Sequence, residues 1–86
     1  MDNKTELMII TMEECGELTQ ACSKVLRTNF SKETIEDLTK EVADVMCMIE
    51  LMKEYLYIKH SDIDQGIQNK RDKLKIWSNL INRNNS

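Results

Sequence analysis

Proline is absent from the 86 residues, and glycine occurs only twice, at Gly16 and Gly66. The first lack removes the commonest cause of a helix break. The second leaves almost no material for glycine-rich loops that cradle phosphate groups. Strand-type alternation of apolar and polar residues is also missing, which argues against a sheet. No apolar run approaches the roughly 20 residues that span a bilayer, so no membrane partner is expected. Neither sign of charge dominates: 12 Lys+Arg against 15 Asp+Glu leave a net charge of -3. Without a basic face, no nucleic-acid partner is expected either.

Cysteine is scarce and odd in number, with Cys15, Cys22 and Cys47 forming no Cys-x-x-Cys pair. A disulfide framework is therefore not expected, and the three read as reduced, half-buried small hydrophobes. A nucleophilic Cys/His pair using the lone His60 has no support in the spacing. The opening Met1-Asp2-Asn3-Lys4-Thr5-Glu6 lacks a signal-peptide pattern, and a cytoplasmic location is expected.

What remains is dominated by helix formers, Glu, Lys, Leu, Met and Gln. The periodicity predicts an all-α chain, one domain over residues 1–86, with three long helices. The first runs from about Thr5 to Arg27 and stops before Thr28-Asn29-Phe30. The second runs from Lys32 to about Ile58 behind a Ser31 cap, with Glu33, Glu36 and Asp37 near its positive end. Its first turns could form a short extra helix. Ser61 or Asp62 is expected to cap the third, with Asp64 three residues after Ser61. That helix is expected to reach about Ile81, with Asn82 to Ser86 as a fraying tail. So short a chain, with 41% hydrophobic residues, buries little more than about 60% of its unfolded surface. Association with a second copy is expected to complete the core.

Four acids stand where these helices should bury leucine. At about 100° per residue, Glu14 and Glu17 share an arc with Leu7, Ile10, Leu18, Ala21 and Val25. Glu41 and Asp44 do the same among Leu38, Val45, Met48, Met52 and Leu56. Glu13 lies at the edge of the first arc and Asp37 near the centre of the second. Glu6, Glu33 and Glu54 fall on solvated faces. Each central pair is spaced i, i+3 and faces one way. Converging like charges need protons, lysines or a divalent cation to offset their repulsion. Oxygen ligands without His or Cys favour Mg²⁺, with Mn²⁺ as substitute, over zinc. A Glu-x-x-His di-iron site fits less well, since its histidines are missing. A polarised water beside a spare carboxylate suits phosphoanhydride hydrolysis. The third helix has a seam at Ile63, Ile67, Lys70, Leu74, Trp77 and Ile81. Lys70 there either snorkels to the surface or is aimed at the acidic site or an anion bound to it.

The segment Glu13-Glu14-Cys15-Gly16-Glu17-Leu18, followed by Glu41-Val42-Ala43-Asp44-Val45, resembles the MazG-like nucleoside triphosphate pyrophosphohydrolases. Their pattern is Glu-Glu-x-x-Glu, a variable spacer, then Glu-x-x-Asp. The run Leu18-Thr19-Gln20-Ala21-Cys22-Ser23-Lys24-Val25 is also similar to small members of that group. The resemblance implies that Glu14, Glu17, Glu41 and Asp44 hold Mg²⁺, and that Glu13, beside Glu14, orients or deprotonates the attacking water. It implies a basic residue on the last helix near the phosphates, Lys70 first and Lys73 second. The implied reaction takes a nucleoside triphosphate and water to the monophosphate and pyrophosphate, in nucleotide-pool house-cleaning or adjustment. The implied fold is an antiparallel all-α bundle, and the implied assembly is a homodimer that completes the site, or a dimer-of-dimers tetramer. Longer MazG-type chains carry a segment ahead of the first acidic motif that helps contact the base. Here no aromatic precedes Glu13, so Phe30, Trp77, Tyr55 or a partner subunit would supply any stacking surface. Two alternatives stand beside this reading: a non-catalytic helical assembly module, and a related pyrophosphatase for dUTP or phosphoribosyl-ATP.

Overall fold

The computed structural model describes residues 1–81, and among them there are three helices and no strand. They are α1 (Asn3–Arg27), α2 (Lys32–Leu56) and α3 (His60–Trp77). α1 starts where the Asp2 carboxylate accepts from the Thr5 N–H at 2.7 Å, satisfying one of the first-turn donors that a helix leaves open. It ends with Phe30 N–H donating to the Val25 carbonyl at 2.8 Å and Asn29 N–H to Leu26 at 3.2 Å. That pairing is a Schellman motif. Asn29 and Phe30 both take left-handed backbone angles, φ 54° and 62°, a conformation that an aromatic residue rarely adopts.

Ser31 caps α2 as expected, accepting from Thr34 N–H at 3.3 Å. The Thr34 hydroxyl in turn lies 2.7 Å from that of Thr28 and 2.9 Å from that of Ser31. These hydroxyls tie the interhelical loop to the first turn of α2. α2 is one continuous helix with no separate short one before it. It stops at Leu56 rather than Ile58 because Tyr57 turns left-handed, φ 55°.

α3 does not begin at the expected cap. The Lys59 carbonyl already accepts from Asp62 and Ile63 at 3.1 and 3.2 Å. Ser61 and Asp62 are therefore inside the first turn, and Asp64 pairs with His60 at 3.3 Å instead of closing a capping box. α3 also ends earlier than Ile81: Ser78 is extended, and its hydroxyl accepts from Leu80 N–H at 3.0 Å. Such a local side-chain bond competes with continued helix. The tail expected from Asn82 onward lies outside the described residues.

α1 and α2 pack antiparallel along a seam with steps of four and three residues. On α1 it passes through Leu7, Thr11, Glu14, Leu18, Ala21 and Val25, all buried or half-buried. On α2 it passes through Thr34, Leu38, Glu41, Val45, Met48 and Met52. This is the heptad spacing of a coiled-coil interface, and the two glutamates occupy its middle. Leu7, Ala21, Val25 and Met48 are the only fully buried residues described. The expected three-helix packing is not formed, because α3 makes no comparable interface with the hairpin. Its seam residues Ile67 and Trp77 remain 52% and 83% exposed. The molecule measures 46 × 32 × 17 Å.

Candidate functional site

The seam brings the two acidic pairs face to face. Glu14 and Glu17 come from α1, Glu41 and Asp44 from α2, and one carboxylate oxygen of each lies within 4.8 Å of the others. Glu14 and Glu41 are half-buried because they hold seam positions, while Glu17 and Asp44, each one residue before an apolar seam position, stay exposed. Buried Oε2 atoms of both Glu14 and Glu41 have no hydrogen-bond partner. A polar atom left that way costs free energy unless something else satisfies it. No lysine or arginine among the described residues forms an ion pair with any of the four.

The electrostatics follow from this crowding. Desolvation, then the charges of Glu17, Asp44, Glu41 and Glu13, push the Glu14 carboxyl above its ordinary value of 4.5. Desolvation, then Glu17 and Asp44, do the same for Glu41. A hydrogen bond to Glu17, which forms when Glu41 carries a proton, and the charge of Asp37 add to the rise. Both groups resist ionisation, and a divalent cation among the four oxygens would remove the cause. The donor set, all carboxylate and open to solvent on one side, fits a hard ion that keeps some of its waters.

Beside the cluster, a cleft of about 280 Å³ opens along the hairpin toward the interhelical loop. It is bordered by Glu17, Gln20, Lys24, Asp37, Lys40 and Glu41, with Ala21 and Thr34 at its floor and end. In sequence, Lys24 and Lys40 pass for ordinary solvated lysines. The available signal was that Lys24 follows Glu17 by seven residues, two turns along the same side of α1.

Compared with known proteins, the chain matches no family model, no curated protein and no solved structure. The bearing on function therefore comes from the residues themselves. Glu13 is exposed on α1 next to Glu14. Lys70 and Lys73 are exposed on α3, outside the residues that border the cleft. Phe30, Tyr55 and Trp77 are all exposed as well, and none borders the acidic cleft. The cysteines correct an expectation: Cys15, Cys22 and Cys47 are free, as expected, but exposed rather than half-buried. Each sits one residue off the seam, beside Glu14, Ala21 and Met48 respectively, and so turns outward. No described helix is long and apolar enough to cross a membrane.

Proposed function

We propose that the chain is a Mg²⁺-dependent nucleoside triphosphate pyrophosphohydrolase of the MazG-like kind. The observation that carries this reading is the meeting of Glu14, Glu17, Glu41 and Asp44 across two helices, with two buried carboxylate oxygens left unsatisfied. A structural acidic face would point such atoms into water or pair them with lysine. Mg²⁺ bound there supplies Lewis acidity toward phosphate oxygens and a more acidic water. Glu14 and Glu41 fix the floor of the site because the seam holds them, and Glu17 and Asp44 close it from the solvent side. Glu13, exposed and adjacent, is the spare carboxylate that takes the proton of the attacking water. Water adds across one phosphoanhydride bond, and the products are a nucleoside monophosphate and pyrophosphate.

A second copy of the chain completes the fold in this reading, as a homodimer or a dimer of dimers. Met8, Met12, Val42, Met46 and Ile49 on the hairpin, and Ile67 and Trp77 on α3, are large apolar side chains exposed in the single chain. Their number against four fully buried residues is what a subunit of an obligate assembly presents. The same exposed surface favours a second reading, a non-catalytic assembly module whose acids act as interface charges. That reading gains if Glu41→Ala and Asp44→Ala change the oligomeric state and leave metal affinity unaltered.

The test is a panel of ribo- and deoxyribonucleoside triphosphates incubated with pure protein, with and without Mg²⁺. Expected is release of monophosphate and pyrophosphate in equal amounts from at least one nucleotide, only with Mg²⁺. Helical, folded protein that releases neither from any member, with dUTP and phosphoribosyl-ATP included, defeats the proposal. Turnover confined to one of those two moves it to the specialised substrate.

A further inference from the structure

The cleft shares Glu17 and Glu41 with the acidic cluster, and two of its other borders are lysines, Lys24 and Lys40. We propose that Lys24 and Lys40 are the phosphate ligands of this site, holding a polyphosphate chain along the cleft from Glu17 and Glu41 toward the interhelical loop. This rests on the metal-dependent reading above and says which end of the cleft receives which part of the substrate.

Three observations carry it. First, neither lysine forms an ion pair among the described residues, although Glu17, Asp37 and Glu41 border the same cleft. Their amines are thus not engaged by the acids beside them. Second, the dimensions suit a chain of phosphates. Seven residues separate Glu17 from Lys24, about 10 Å along the axis at ~1.5 Å per residue. The side chain of Lys24 can bend back over part of that span, and Gln20, which also borders the cleft, lies between with an amide donor. A volume of about 280 Å³ sits near the lower bound of small-ligand pockets, roughly 300 Å³. That is room for phosphates and a metal, with the nucleoside lying outside. Third, the charges make binding conditional. Three carboxylates against two lysines repel a free polyanion, and only a divalent cation at Glu17 and Glu41 turns the balance. The phosphate chain therefore enters with the metal and not ahead of it. Lys70 and Lys73, on a helix that borders none of the cleft, are not needed for this contact.

Calorimetric titration of the full chain with inorganic pyrophosphate, with and without Mg²⁺, tests the assignment. With Mg²⁺ the wild type is expected to bind pyrophosphate at least roughly tenfold tighter than without it. The double variant Lys24→Gln/Lys40→Gln should lose roughly tenfold or more of that affinity, while its affinity for Mg²⁺ alone is equal or tighter. Lys70→Gln/Lys73→Gln, and Lys53→Gln as a remote charge control, should bind pyrophosphate as the wild type does. Both cleft lysines are exposed, so the helical signal of the variants should be unchanged. Wild-type Mg²⁺ binding with no pyrophosphate binding, or with undiminished affinity in the Lys24/Lys40 variant, overturns the phosphate assignment and leaves the metal site standing. No Mg²⁺ uptake by the wild type overturns both, and an effect confined to Lys70 and Lys73 moves the phosphates to α3.

Discussion

The hairpin and α3 both carry a charged residue in the middle of an apolar seam, and the two seams end up in opposite conditions. In the hairpin, Glu14 and Glu41 meet each other across paired helices, and their Oε2 atoms are buried. On α3, Lys70 is exposed, as are Ile67 and Trp77, and the seam residues Ile63 and Leu74 are only half-buried. An ionisable group in a stripe acquires a shifted pKa and an unmet demand for a partner only where a second element closes over it. The helix period tells which face a residue is on, and the opposite helix decides what that face costs.

The largest effects should come from breaking the hairpin seam's side of this contrast. Glu41→Gln or Glu14→Gln should reduce Mg²⁺-dependent hydrolysis by roughly 100-fold or more, as loss of a metal-holding carboxylate does. Each should also raise the melting temperature of the metal-free protein at neutral pH, because one like charge is gone. A neutral-pH melting temperature that drops in both variants would mean that the acids stabilise the hairpin instead of straining it.

The pH dependence comes next. Glu14 and Glu41 have folded-state values above the ordinary 4.5, so the folded chain holds more protons than the unfolded one in the window just above that value. Stability then falls as pH rises through the window. Metal-free thermal scans should show lower melting temperatures at neutral pH than near the ordinary carboxyl value, and Mg²⁺ should recover the difference at neutral pH. A melting temperature that climbs with pH without metal is the opposite sign and would contradict the crowding.

On the α3 side the change is spectroscopic. Trp77 is almost fully solvent-exposed in the single chain. If a second copy covers the α3 seam, its fluorescence should shift to shorter wavelength as protein concentration rises through the association range. Emission that stays at the solvent-exposed position while the chain dimerises would place the interface on the hairpin alone. The smallest effect is expected in the loop that joins the helices. Phe30→Gly should stabilise the chain by about 0.5–1 kcal/mol in chemical denaturation, since glycine takes the left-handed angle freely and Phe30 is 63% exposed.

Much of this was legible in the sequence where a single helix decides the outcome. Phase put Glu14 and Glu41 on the seam, apart from Glu6, Glu33 and Glu54, and Thr28-Asn29-Phe30 marked the end of α1. Glu17 and Asp44, expected to face inward as well, join the cluster from exposed positions. Less was legible where a second element or a backbone carbonyl decides. Ser61 and Asp62 are ordinary cap residues, but the Lys59 carbonyl begins the turn before them. The α3 seam is as regular as those of the hairpin, and regularity does not say whether a partner is present. Lys24 and Lys40 lie just off the seams, where lysine is commonplace. Only the pairing of α1 with α2 shows that both border one cleft.

The most direct measurement is anomalous diffraction from crystals of the protein grown with Mn²⁺ in place of Mg²⁺. The expected result is a peak within bonding distance of carboxylate oxygens from Glu14, Glu17, Glu41 and Asp44. An intact hairpin with no peak at these four residues would contradict the proposed metal site.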